Sequence, residues 1–176
     1  MLFASIISIV VVQRLIELFV AKRNEKWMRS QGAYEAGATH YPIMVTMHIA
    51  FFISCILEVV VLERVLSPIW AILLGLFLLT QSARIWCLTS LGKFWNTKII
   101  ILPGADVVRK GPYKWVRHPN YLIVTIELLV LPLLFGAYFT AILYSLLNMW
   151  MLSVRIPAEE KALKEATNYR EEFSLD

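Results

Sequence analysis

One short run of the chain concentrates residue types that could do polar chemistry. Between Gly111 and Tyr121 lie two prolines, three aromatic residues, two cations and a histidine, within eleven residues. Pro119 fits the first position of a helix, which makes His118 its cap and leaves the N–H groups of the next three residues unpaired inside the helix. Such a helix start binds a carboxylate or a phosphate well. The simpler alternative is a charged helix start that anchors an apolar span among lipid headgroups.

A second polar run follows the last apolar stretch of the chain. Arg155 ends that stretch, and Pro157, Glu159 and Glu160 come directly after it. Pro157 is predicted to start a new helix, which places both glutamates in its first turn. On its own this run is typical of a solvated acidic helix start, with Arg155 reaching the interface. However, the two runs lie at the same end of a predicted antiparallel hairpin, so their side chains could converge.

The composition predicts an integral membrane protein of the all-α class. Hydrophobic residues make up 59% of the 176 residues, and the mean hydropathy is +0.64, whereas soluble domains average about 45–50% apolar. A transmembrane helix needs about 20 apolar residues, and about five stretches qualify. The predicted spans are Leu2–Val20, Pro42–Leu62, Pro68–Leu91, Pro119–Phe135 and Tyr138–Val154. We expect a single domain over residues 1–176 with a C-terminal helical hairpin and a tail from residue 155 to residue 176.

The distribution of lysine and arginine predicts the orientation in the membrane. The linkers after the first and third predicted spans and the tail are rich in these residues, whereas Arg64 is the only one after the second span. Because basic linkers stay in the cytoplasm, we expect the N-terminus outside and the C-terminus inside a bacterial cell membrane. Labelling from the outside of a cysteine placed at Lys110 would contradict this. The basic patches flank apolar spans, which favours anionic lipid headgroups over nucleic acid as their partners.

The remaining reactive residue types suggest structural roles. Cys55 and Cys87 fall inside apolar stretches without CxxC spacing, so we interpret them as small buried side chains. The three histidines are scattered, which argues against a metal site. Several polar residues inside the spans are expected to face the bundle interior as a structural network. They are Arg14, Glu17, Glu58, Gln81, Arg84, Glu127 and Asn148.

Two shorter elements are predicted on the same side as the basic linkers. Residues Lys98–Leu102 and Val107–Val108 are β-prone and are separated by Pro103-Gly104, which predicts a small hairpin or an extended flap. The tail is polar and helix-prone from Pro157 to Phe173, and its apolar positions Leu163, Ala166 and Tyr169 or Arg170 predict a surface helix docked on the helical bundle.

Taken together, the two polar runs resemble a known family. Gly111-Pro112-Tyr113, Arg117-His118-Pro119-Asn120-Tyr121 and Arg155 followed by Glu159-Glu160 occur in this order across the hairpin. This combination is similar to the isoprenylcysteine carboxyl methyltransferase family, in particular to small bacterial members that methylate alkylpyrone-type lipids. The resemblance implies an all-helical, membrane-embedded O-methyltransferase that uses S-adenosylmethionine from a cytoplasmic pocket.

The resemblance also implies roles for individual residues. The implied cofactor-binding residues are Tyr113, His118, Pro119, Tyr121 and Glu159, and the implied catalytic residues are Arg155 and Glu160. The acceptor would be a carboxylate or a phenol or enol hydroxyl of a lipophilic molecule, such as an isoprenylcysteine, an alkylpyrone-type lipid or an alkylresorcinol, and the sequence also leaves a phospholipid amine open. Arg155 would orient this acceptor, and for a neutral hydroxyl Glu160 or His118 would be the base.

Two other interpretations fit parts of the sequence. Some membrane reductases that use NADPH carry a related Arg-x-Pro-x-Tyr segment before a C-terminal hairpin, although a paired glutamate suits a cationic cofactor better than a phosphorylated one. A non-catalytic transporter or scaffold would also tolerate polar residues inside its spans. The absence of an inverted repeat in the sequence argues against this last interpretation.

Overall fold

The computed structural model describes residues 1–173, and most of them are helical. The described residues form six α-helices: α1 (Leu2–Ser30), α2 (Tyr41–Val61), α3 (Trp70–Leu91), α4 (Pro119–Leu134), α5 (Tyr138–Ala166) and α6 (Tyr169–Glu172). Two strands of three residues each, β1 (Tyr34–Ala36) and β2 (Ile99–Ile101), form the only sheet of the described residues. The prediction of an all-α membrane protein is confirmed.

Four helices are long and apolar enough to cross a membrane. They are α1, α2, α5 and α3 together with the short 3₁₀ turn that extends it to Phe94. The predicted fourth span is shorter: α4 has 16 residues and contains Pro132, so at 1.5 Å per residue it measures about 24 Å, against a hydrocarbon core of about 30 Å. Gly136, with a φ of 67°, makes the tight turn from α4 into α5.

The chain forms two compact units. The first unit consists of Met1–Ala38, Leu91–Val108 and the chain from Pro157 onward. The second unit consists of Thr39–Ser90 and Arg109–Ile156. Helix α5 contributes residues to both units, and each unit has its own polar contacts and packing.

The sheet of the first unit corrects the predicted hairpin. Strand β2 pairs antiparallel with β1, with Ile99 opposite Ala36 and Ile101 opposite Tyr34, whereas the predicted partner at residues 107–108 is not a strand. Ile99 and Ile101 pack on Ala162, so the strand is held by α5 as well as by β1. The backbone N–H of Val107 instead donates to Oδ1 of Asn168, at 2.8 Å.

Four charges join α1 to both strands in the first unit. Nζ of Lys98 lies 3.1 Å from Glu25 Oε1 and 3.2 Å from Glu35 Oε2, and Arg29 lies 2.8 Å and 2.7 Å from the same two carboxylates. Burial alone would lower the pKa of Lys98, but the two carboxylates outweigh it and raise this pKa above its ordinary value. Lys98 therefore stays charged and links β2 to α1 and β1.

The prediction that Pro157 starts a new helix is wrong. Helix α5 continues through Pro157 to Ala166, and the separate α6 begins only at Tyr169. A proline inside a helix removes one backbone hydrogen bond and costs about 3 kcal/mol, so packing must hold the helix together. Residues Leu163 and Ala166 supply part of this packing, because they lie against the cluster of Ile99, Ile101 and Ala162. The tail therefore packs through these positions on strand β2 of the first unit, and its docking on the helical bundle stays a prediction.

In the second unit, α2 and α5 run antiparallel. The carboxylate of Glu58, near the end of α2, accepts hydrogen bonds from the backbone N–H groups of Phe139 at 3.1 Å and Thr140 at 2.8 Å. These N–H groups belong to the first turn of α5, where a helix has no backbone acceptors for its N–H groups. Glu58 therefore stabilises the start of that helix. Nearer the middle of both helices, the ring of Phe51 lies 5.4 Å from the ring of Tyr144.

Helices α3 and α4 are joined by a buried ion pair. The guanidinium of Arg84 donates to both carboxylate oxygens of Glu127, and Gln81 donates to one of them. Arg84 and Glu127 are 5% and 6% exposed.

The prediction that polar residues of the spans face the interior is confirmed for Glu17, Glu58, Arg84, Glu127 and Asn148.

Candidate active site

The Gly111–Lys114 segment is held against the end of α3. This segment forms a short 3₁₀ helix, and Gly111 has a φ of 54°. A Cβ atom at Gly111 would lie 2.2 Å from Oγ of Ser90 and 2.8 Å from Nε1 of Trp86, so only glycine fits there. Tyr113 is buried and hydrogen-bonded to Cys87. Cys87 lies one turn before Ser90 on α3. Helix α3 therefore positions the first part of the polar run from Gly111 to Tyr121.

We expect Gly111→Ala to destabilise the protein and to displace Tyr113. The positive φ costs about 1 kcal/mol for an L-residue, and the clash with Ser90 adds a packing cost of about 1–3 kcal/mol. Gly92→Ala is the matched control, because Gly92 has nearly the same φ, 55°, with nothing within 4 Å of its Cβ position. Thermal unfolding in detergent should show a clearly larger loss for Gly111→Ala. Equal losses would mean that the contact with α3 is unimportant.

Helix α4 begins where the sequence predicts, but its first N–H groups are not all unpaired as predicted. His118 is the N-cap and Pro119 the first helical residue. However, the N–H groups of Tyr121 and Leu122 both donate to the His118 carbonyl, at 3.2 Å and 3.4 Å. The predicted anion site with three unpaired N–H groups is therefore wrong for two of them, because the first turn closes on its own cap. The helix dipole still favours an anion at this end.

Three of the predicted site residues lie together where α4 begins and the second unit's part of α5 ends. Nε of Arg155 donates to the hydroxyl of Tyr121 at 3.0 Å, and its guanidinium carbon lies 6.0 Å from the centre of the Tyr121 ring. The His118 ring stacks on Tyr121, with 5.4 Å between centroids. Arg155 is only 4% exposed. A buried cation beside two aromatic rings can bind and stabilise an anion that leaves water.

The two glutamates belong to the first unit. Oε2 of Glu160 accepts from Nζ of Lys164 at 3.2 Å, and Oε1 accepts from the hydroxyl of Tyr169 at 3.4 Å. Glu160 also lines an open cleft of about 260 Å³, together with lysines 161 and 164 and Arg170. Both of its oxygens thus have partners within this unit. The roles that the resemblance implies for Glu159 and Glu160 stay predictions.

Two polar groups that the sequence interpretation left out have a place in the second unit. Nδ1 of His40 and Oδ1 of Asn120 are buried and have no hydrogen-bond partner among residues 1–173. His40 is the N-cap of α2, and Asn120 follows Pro119 in the first turn of α4. A signal for His40 was present, since His40-Tyr41-Pro42 starts its helix much as His118-Pro119 starts α4.

Comparison with known proteins decides the family. The model of the isoprenylcysteine carboxyl methyltransferase (ICMT) family matches residues 72–165. The chain belongs to this family. The matched part of this ICMT-family chain runs from the start of α3 to the end of α5 and contains all seven predicted site residues. Membership supports a membrane methyltransferase, and ICMT-family members in general use S-adenosylmethionine.

Two bacterial relatives extend the match to nearly the whole chain. The "Uncharacterized protein YpbQ" of Bacillus subtilis is 49% identical over 164 residues, which covers 93% of this chain and 98% of the relative. An "Uncharacterized protein" of Haemophilus influenzae is 30% identical over 162 residues, which covers 92% of each. No solved structure matches the chain. The relatives' names state no activity, so the acceptor must be inferred from the residues.

Proposed function

We propose that this ICMT-family protein transfers a methyl group from S-adenosylmethionine to an oxygen of a lipophilic acceptor at the membrane interface. The observation that supports this most directly is the buried Arg155, hydrogen-bonded to Tyr121 beside the start of α4. A guanidinium that is buried and held in one direction is well suited to bind an anion at the end of apolar helices. An ionised oxygen of a lipid acceptor is such an anion.

The residues at this end of the second unit fit S-adenosylmethionine chemically. When bound, this cofactor supplies an electrophilic methyl group on a cationic sulfur. The stacked rings of His118 and Tyr121 offer a surface that attracts a cation. The unpartnered Oδ1 of Asn120 offers an acceptor for an ammonium or a ribose hydroxyl. The dipole at Pro119 favours the amino-acid carboxylate.

Arg155 has the central role in the proposed reaction. Its guanidinium would hold the acceptor oxygen as an anion, while its hydrogen bond to Tyr121 fixes the guanidinium in direction. The burial of Arg155 keeps water away, and water would otherwise stabilise the separated charges more than the transition state. Alignment and a dry site therefore supply much of the acceleration, and no covalent enzyme intermediate is needed.

The cytoplasmic location of this site and the single-domain organisation are part of the same proposal. The basic linkers support the orientation. The segment with His118 begins the α4–α5 hairpin and the segment with Arg155 lies on its other arm, away from the turn, so both are at the same end of the second unit. This end is the one that we place in the cytoplasm.

Cofactor binding separates this proposal from the reductase interpretation. In isothermal titration of the purified protein in detergent, we expect S-adenosylhomocysteine to bind with a micromolar dissociation constant, about −8 kcal/mol, and NADPH not to bind. Tyr121→Leu should weaken this binding about tenfold, because it removes the stacked ring. Binding of NADPH alone would favour the reductase, and binding of neither would favour a transporter or scaffold.

A further inference from the structure

Resting on the proposed methyl transfer, we propose that His40 is a further catalytic residue: Nδ1 of His40 is the base that takes the proton from a hydroxyl acceptor. His40 lies outside residues 72–165, the part matched by the family model. The packing of its helix, rather than either polar run of the sequence, points to His40.

The packing of α2 on α5 puts His40 and Arg155 at the same end of this helix pair. Along these antiparallel helices, Glu58 contacts the start of α5 and Phe51 contacts Tyr144. His40 lies eleven residues before Phe51, and Arg155 lies eleven residues after Tyr144. Equal steps along antiparallel helices, about 16 Å here, keep residues in register. The charge of Arg155 accordingly acts on His40.

The ring of His40 has a buried nitrogen without a partner. Nδ1 is shielded from water and makes no hydrogen bond within residues 1–173, although a buried polar group left unpaired costs about 1–3 kcal/mol. The other histidine of the same helix differs: Nδ1 of His48 lies 2.8 Å from the Met44 carbonyl. An unpaired buried nitrogen that feels the charge of a buried cation is explained if a ligand group completes it.

The electrostatic surroundings keep His40 neutral, as a base must be. Burial and then the positive charge of Arg155 lower the pKa of His40 below its ordinary value. The segment that starts α4 carries Arg117, His118 and Tyr121 at this end, and the hydroxyl of Tyr121 is held by Arg155. With the proton on Nε2, Nδ1 presents a lone pair at neutral pH. Arg155 in turn favours the ionised form of an adjacent acceptor.

The step balances with these groups. The acceptor O–H bond breaks, and its proton goes to Nδ1 of His40. The acceptor oxygen forms the new O–CH₃ bond, while the S–CH₃ bond breaks and its electron pair stays on the sulfur. The imidazolium then releases the proton to water when the products leave. A carboxylate acceptor is already ionised at neutral pH and needs no base, so His40 indicates a phenol or enol hydroxyl.

The activity test compares His40→Gln with His48→Gln as a matched control. Purified protein is incubated with labelled S-adenosylmethionine and with membrane lipids from cells that lack the gene, and the label in extracted lipid is counted. We expect His40→Gln to lower the rate about 100-fold and His48→Gln to keep it within twofold. The wild-type rate should fall with acid as His40 is protonated, whereas the His40→Gln rate should rise steadily with pH as the acceptor ionises by itself.

Two further readouts do not depend on the rate. Binding of S-adenosylhomocysteine should be equal in both variants and the wild type. With only three histidines in the chain, ¹⁵N-histidine NMR in micelles can follow His40, and its pKa should lie below the ordinary value of about 6.5. The labelled lipid should also be a methyl ether, which survives mild alkali, rather than an ester, which does not.

The outcomes separate the two proposals. If the wild type transfers no label, the proposed function itself is wrong, and the role of His40 falls with it. If the wild type is active but His40→Gln keeps its rate and pH profile, methyl transfer stands and His40 is not the base. An alkali-labile product, or a His40 that is still protonated above pH 7, also overturns the role of His40 alone.

Discussion

Replacing Arg155 with alanine should lower methyl transfer by about two to three orders of magnitude. The guanidinium is buried and directed by its hydrogen bond to the hydroxyl of Tyr121. If it stabilises the acceptor anion in a dry site, its loss removes an interaction that is strongest in the transition state. The rate of methyl transfer to membrane lipids, measured at saturating S-adenosylmethionine, is the quantity to compare.

Two further variants locate the effect. Arg155→Lys keeps the charge but loses the fixed fork of donors, so it should recover part of the rate and still fall about tenfold short. Arg64→Gln is the matched control, because Arg64 belongs to the same unit but contacts Glu58 near the opposite end of α2. It should keep the wild-type rate. A folded Arg155→Ala protein with near-normal turnover would remove Arg155 from the mechanism.

The sequence predicted the helices well because their signals are local. Long apolar stretches and prolines at helix starts determine where spans begin, and Pro42 and Pro119 both lie in the first turn of their helices. The contact of Arg155 with Tyr121 was also within reach, since a hairpin brings its two open ends together. Each of these inferences needs only residues that are close in sequence or joined by one turn.

The features that the sequence did not predict depend on distant contacts. Strand β2 pairs with β1, more than sixty residues earlier in the chain, because the strand fits between β1 and Ala162 rather than folding back on its neighbours. Helix α5 continues through Pro157 for a similar reason, since packing after the proline outweighs its local preference. Local propensity predicts neither the pairing of β2 with β1 nor the continuation of α5 through Pro157.

His40 shows the same limit for the site. Its residue type and the proline two positions later were visible, but its relevance depends on the register between α2 and α5. That register is determined by contacts such as Phe51 with Tyr144 and Glu58 with Thr140. A sequence shows the polar ends of each helix, whereas packing decides which of these ends meet.

The second large effect concerns stability. Glu127→Gln should lower the free energy of unfolding by about 3–5 kcal/mol, because it leaves the charge of Arg84 buried without its partner. Both side chains are less than 8% exposed, and the pair joins α3 to α4, the helices that position Tyr113 and His118. The loss should therefore reach the site as well as the fold.

The two cysteines provide the measurement and the double variant provides the control. Cys55 and Cys87 are free and fully buried, so a thiol-reactive dye reports unfolding during heating. Glu127→Gln should unfold at a clearly lower temperature, while the exposed Glu165→Gln should match the wild type.

Arg84→Met combined with Glu127→Leu should recover most of the loss, because a buried ion pair is often replaced by apolar residues at little cost. If the double variant is as unstable as Glu127→Gln, the pair contributes through more than its unpaired charge. If Glu127→Gln unfolds like the wild type, the pair does not hold α3 and α4 together.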